Sequence, residues 1–184
     1  MAYTIQNAAA GLLPIANIDA GFLSPASTSS GSTTYAPTSP ATLGQIVTAI
    51  DPIFGAGEFI LLTGVATNAI GTVVQYDGTT FVPAIPTAVN ANKSGMPLAV
   101  SMTANTSATN WSWYQISGTA VVKKTTVKFS NKQAIGFIST GVIGKNASGV
   151  QIIGARTANT TSVASAVTTI AVTIQRPHMM GRIT

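Results

Sequence analysis

The chain offers four acidic side chains, one histidine and no cysteine from which a reactive centre could be built. General acid–base chemistry needs such groups held near one another, and this sequence spreads them out. Asp51 precedes Pro52 and Asp77 precedes Gly78, both turn signatures, while Asp19 lies in a polar N-terminal stretch. Glu58 opens an apolar run, where a salt bridge or a backbone hydrogen bond is its expected role. His178 stands in Pro177-His178-Met179-Met180 without a second histidine, a cysteine or a nearby acid, so it completes neither a metal site nor a triad. The lack of cysteine excludes disulfides, thiolate metal sites and thiol nucleophiles. Gly55-Ala56-Gly57 precedes a strand and lacks the Lys-Ser/Thr pair or third glycine of a phosphate cradle. No cofactor, no metal and no enzymatic activity are expected.

The aromatic cluster Trp111, Trp113 and Tyr114 is the other group with chemical potential, because indole faces can stack on a sugar. A carbohydrate site also wants clustered carboxylates and amides. The cluster opens a long strand, Trp111 to Lys124, in which Ser112, Tyr114, Ile116, Gly118, Ala120 and Val122 form the core face. Both tryptophans fall on the opposite, mainly polar face, where another segment or another chain must cover them.

The elements that would position these residues are strands. Leu43 to Ile50 fits either a helical or an extended pattern, and Asp51-Pro52 ends it. Glu58 to Ala66 is a compact apolar strand, with Gly64 marking a bulge or bend. Gly71 to Tyr76 and Thr80 to Pro83 flank Asp77-Gly78, the signature of a tight hairpin, and Pro83 and Pro86 are expected to end the pairing. Pro97 to Met102 follows, then the Trp111 strand. Weaker strands are expected at Val127 to Ser130, Ala134 to Ser139 and Val150 to Ile153, and a central one at Thr168 to Gln175, terminated by Arg176-Pro177-His178. With no long amphipathic helix and no regular repeat, the fold class is all-β, a small β-sandwich or barrel with a long extended N-terminal arm. The arm spans residues 1–40, rich in Ser, Thr, Pro and Ala, and the β-rich domain spans 41–184.

Composition sharpens the functional reading. Only 7% of residues are charged while 46% are hydrophobic, against a usual charged share of about 25%. A surface of Ser, Thr, Asn and backbone packs against other protein with little desolvation cost. All four acids lie before residue 80, and eight of the nine basic residues lie from Lys123 onward. Those cations are scattered, without the dense cluster or aromatic–glycine signature of a nucleic-acid binder. Neither a basic signal region nor an apolar run of about 20 residues is present, so a soluble protein made in a cytoplasm is expected.

Leu43-Gly44-Gln45-Ile46-Val47-Thr48-Ala49-Ile50-Asp51-Pro52, Gly57-Glu58-Phe59-Ile60-Leu61-Leu62-Thr63-Gly64-Val65-Ala66, Trp113-Tyr114-Gln115-Ile116-Ser117-Gly118-Thr119-Ala120-Val121 and Arg176-Pro177 occur in an order and spacing that resemble the head-decoration, or cement, proteins of tailed bacteriophages. After Arg176-Pro177 the chain departs from that pattern with His178-Met179-Met180-Gly181-Arg182-Ile183-Thr184, and the long Ser/Thr/Pro arm has no counterpart in it.

The resemblance implies a β-rich protein on the outer face of an icosahedral shell. It would clamp neighbouring major capsid subunits, associate with itself as a homotrimer rather than a dimer, and have no membrane or direct nucleic-acid partner. It also favours a strand at Leu43 to Ile50. The virion's outer surface is then the expected location, and the arm is expected to order on a neighbouring subunit. Candidate subunit contacts are Leu12, Leu13, Ile15, Phe22, Trp111, Trp113, Arg176 and His178. The alternative is a carbohydrate- or receptor-binding module of a phage appendage.

Overall fold

A computed structural model describes residues 3–6, 14–18, 43–51, 54–66, 68–87, 94–102, 104 and 111–181. Among these there is no helix, and the strands are β1 (Tyr3–Gln6), β2 (Pro14–Ile18), β3 (Ile46–Asp51), β4 (Gly55–Thr63), β5 (Val73–Tyr76), β6 (Pro83–Ala84), β7 (Leu98–Ser101), β8 (Trp111–Lys123), β9 (Ala134–Ser139), β10 (Val142–Lys145), β11 (Gln151–Thr157) and β12 (Thr169–Met179). They form a curled antiparallel sheet, a half-barrel, in the order β10-β9-β11-β12-β8-β4-β3-β1-β2. The all-β expectation holds, with a strand at Ile46–Asp51.

The curl is drawn together at the end of β8. Lys124 bridges to Ile143 in β10, and the Thr125 amide donates to the Ile143 carbonyl at 2.9 Å. Inside lies the larger core, which includes Val122 of β8, Phe137 of β9, Ile143 of β10, Ile152 of β11 and Val172 of β12. A second core gathers Ile60, Leu62, Val74, Ala99, Tyr114 and Ile116. The paired strands β5 and β7 contribute to both, Val73, Leu98 and Val100 to the first and Val74 and Ala99 to the second. All four residues of β7 are therefore buried, which explains why its sequence is a continuous apolar run ending in serine rather than an alternation.

β8 links the two cores and pairs with β4, β7 and β12. Its expected core face is buried at Ser112, Tyr114, Ile116, Ala120 and Val122. The opposite face is also covered in this half of the strand, and by this chain itself, because Trp113 is 5% exposed and Gln115 fully buried. The first half of β8 is thus covered on both sides and only the second half alternates. The change falls at Gly118, whose φ of 96° suits glycine and whose added Cβ would lie 2.4 Å from the Ala56 carbonyl oxygen. The Gln115 amide spans this bend, donating to the carbonyls of Ser117 at 3.0 Å and Thr119 at 3.1 Å.

Several local expectations are corrected. Asp77-Gly78 makes no two-residue turn: β5 pairs with β6 through Tyr76 and Pro83, leaving a six-residue loop closed by Asp77 N to Val82 O at 3.2 Å. The Asp77 carboxylate accepts the amides of Thr79 and Thr80 at 2.7 and 2.8 Å, and the left-handed residue is Phe81, φ 56°. Pro83 pairs instead of ending the pairing, because β6 has β5 as its one partner and a missing amide hydrogen is harmless on an edge. Val127 to Ser130 is no strand, and only the Phe129–Val163 bridge remains there. β11 runs on to Thr157, and β10 is an additional strand. β12 does not stop at Arg176-Pro177-His178 but continues to Met179. Within residues 1–40, β1 pairs with β3 and β2 with β1, so part of the expected arm extends this chain's own sheet.

Candidate interaction surface

β12 and β11 change phase side by side. Ile170, Val172 and Ile174 point inward at even positions, whereas beyond Arg176 the inward residues are Pro177 and Met179. The switch is made at Arg176, a non-glycine residue with φ 43°. In β11 the inward residues change from Ile152 to Ala155 and Thr157. One residue, Gly154, there faces three, Gln175, Arg176 and Pro177, between the pairs Ile153–His178 and Ala155–Ile174. Gly154 has φ 74°, and a Cβ on it would sit 2.6 Å from the Gln175 carbonyl oxygen. A paired bulge of this kind re-aims side chains without ending the strand.

The result is that Arg176 and His178 both project outward, with exposed Ile153 opposite His178. The Arg176 guanidinium reaches Glu58 on β4, Nε to Oε2 and Nη2 to Oε1 both at 3.4 Å. The imidazole Nδ1 of His178 lies 3.5 Å from the Arg176 carbonyl oxygen. The guanidinium charge also acts on Tyr76, whose hydroxyl is pushed above the usual range by burial and pulled back in part by Arg176.

The other expected contact residues lie elsewhere. Trp111 is half-buried and pairs with Thr63, at the opposite end of the β4–β8 ladder from the Glu58–Ser117 pair. Six steps along β8 separate it from that end, roughly 20 Å. Trp113 is packed inside this chain, so no second chain is needed to cover it, and it offers no open platform. Ile15 lies in β2, its backbone paired with Ile5. Leu12, Leu13 and Phe22 lie outside the described residues. The eight therefore do not form one patch among the described residues.

Several buried polar groups are tied into the fold by hydrogen bonds. Asn68 Nδ2 donates to Ser101 Oγ at 2.6 Å and lies 3.5 Å from the Tyr114 hydroxyl, which reaches the Thr63 carbonyl at 3.5 Å. Burial pushes the Tyr114 hydroxyl up to about 12, against smaller lowering by Asn68 and the Val65 backbone. The Lys124 ammonium donates to the carbonyls of Thr125, Val127 and Ser165 and lies 5.7 Å from the Phe129 ring centre, and its burial lowers its pKa.

Among the described residues no group of three His, Cys, Asp or Glu side chains could hold a metal ion. No protein-family model matches the chain, and no curated protein matches it.

Proposed function

We propose that the chain is a structural decoration protein of a tailed-phage head, binding the outer shell surface and bridging major capsid subunits. The observation that carries this reading is the placement of the resembling blocks. They lie on β3, β4, β8 and β12, which are consecutive across the centre of the sheet, and the two most distinctive blocks pair directly from Glu58–Ser117 to Leu61–Trp113. Four sequence blocks scattered over the chain thus make one continuous framework, as expected if the resemblance reflects a shared fold. The low charge and polar, uncharged surface support the same reading.

The mechanism is thermodynamic. A protein that binds the assembled shell and not free subunits stabilises the assembled state by mass action, and at subunit seams this opposes the pressure of packaged DNA. A homotrimer on the shell, with further parts of residues 1–40 ordering on a neighbour, belongs to this proposal. Heads lacking the protein should release DNA at a lower temperature than complete heads, and protease cleavage within residues 1–40 should slow when free protein joins the particle. Equal thermal stability, together with no density for the protein on the shell, would refute the proposal. The carbohydrate-binding alternative loses Trp113 as a stacking surface.

A further inference from the structure

The paired bulge opens a second feature on the outer face, a cleft of about 540 Å³ lined by Lys132, Gln151, Ile153, Arg156, Thr173 and Gln175 among others. Its shape comes from register. β11 pairs with β9 at Gln151–Gly136 and Arg156–Ala134, so five steps along β11 face two along β9 and the strand bows away. Lys132 is held at the cleft in a left-handed conformation, φ 51°, that non-glycine residues seldom adopt. Buried Thr157 holds the surrounding turn: its hydroxyl accepts the Gln133 amide at 2.7 Å and donates to the Ser130 carbonyl at 2.9 Å. The Ser130 amide in turn donates to Gln133 Oε1 at 2.9 Å. Arg156, the neighbour of Thr157, projects into the same cleft.

Two cations are therefore brought to one concavity that has no acidic residue in its lining, and among the described residues neither has a carboxylate partner. Like charges held together in this way are relieved by an anion. We infer that the cleft is a docking site for an acidic peptide segment of a different protein, its carboxylates meeting Lys132 and Arg156 and its backbone meeting the amides of Gln151 and Gln175.

The occupant follows from charge. Glu58 is engaged by Arg176, and Asp77 by the amides of Thr79 and Thr80, so the carboxylates whose side chains are described are already committed. A second copy would therefore bring this cleft no uncommitted carboxylate from its described residues, whatever contacts copies make elsewhere on the surface. A nucleic-acid track needs cations distributed along a phosphate backbone, whereas here two converge on a pocket beside exposed Ile153 and hydroxyl and amide groups. The inference stands apart from shell decoration; if that reading holds, the segment belongs to the shell.

The test uses the purified chain and a fluorescent eight-residue peptide of alternating Glu and Gly, read by anisotropy at low salt. Controls are the same peptide with Gln for Glu and an oligothymidine of equal charge. The acidic peptide should bind, weaken at least tenfold with Arg156→Gln, and weaken likewise with Lys132→Gly, which suits the left-handed φ and so preserves the fold. Lys128→Gln and Lys145→Gln, elsewhere on the surface, should change binding less than twofold. Absence of acidic-peptide binding, equal binding of the Gln peptide or of the oligothymidine, or equal weakening by the surface controls, each overturns the inference.

Discussion

Arg176 and Glu58 meet across β8: they come from β12 and β4, strands that both pair with Ser117, through Gln175 and through Glu58 itself. The pair joins three adjacent strands at the place where β12 changes phase. With side chains 63% and 33% exposed, it is a surface ion pair, and a double-mutant cycle should give a coupling below about 1 kcal/mol that shrinks further in high salt.

The backbone at Arg176 should matter more than its charge. Arg176→Gly removes the weak ion pair but suits the left-handed φ, so unfolding stability should stay within about 1 kcal/mol of the parent. Arg176→Val places a β-branched residue there and should cost about 1–3 kcal/mol. Urea unfolding of the two variants measures the difference, and equal losses would mean that strain at this residue is unimportant.

Gly118 is a harsher case. Alanine there must avoid both the Ala56 carbonyl and the Gly57 Cα, which lie 2.4 and 2.9 Å from the new Cβ. Gly118→Ala should therefore lose about 3 kcal/mol or more, seen as a large fall in the urea midpoint or as insoluble protein.

Trp113→Ala removes a large buried side chain from β8 and should cost about 3–5 kcal/mol in unfolding measurements. Half-buried Trp111→Ala should cost clearly less. The reverse order would contradict the packing of the strand.

Tyr114 predicts an alkaline weakness. Its hydroxyl titrates near 12 in the fold, above the ordinary 10.0, so between those values the folded state binds more protons than the unfolded one and stability falls as pH rises. Its contribution is unchanged well below pH 10 and the loss grows to roughly 2 kcal/mol by pH 12. Tyr114→Phe should flatten this part of the decline, and unfolding curves taken at intervals from pH 9 to 12 test it.

Much of the sheet was legible because its strands are either alternating or continuously apolar. β9 matches its sequence pattern residue for residue, β7 lies within its expected segment, and β3 and β4 overlap theirs, β3 running one residue further and β4 starting three residues earlier. What was illegible depends on contacts between distant residues. The period-two pattern calls for cover over the tryptophans' face but does not say that this chain itself supplies it at Trp113 and Gln115. Arginine does not announce a left-handed φ, so Arg176-Pro177 reads as a terminus although the bulge lets β12 continue. The site was legible in the same partial way. Arg176 and His178 do share the outer face, but Lys132 and Arg156 line one cleft because Thr157 ties β11 to the turn at Ser130 and Gln133, a link that their separation in sequence conceals.

The seam at the end of β8 has a consequence for how opening of the barrel can be observed. Lys124, 5% exposed, holds its amine against three carbonyls beside the bridge that ties β8 to β10. Surface amines such as those of Lys128 and Lys145 will react with an acylating reagent in the folded molecule, whereas the amine of Lys124 becomes available only when the seam parts. Its acylation rate, read by mass spectrometry, is a chemical record of how often this edge of the sheet comes undone.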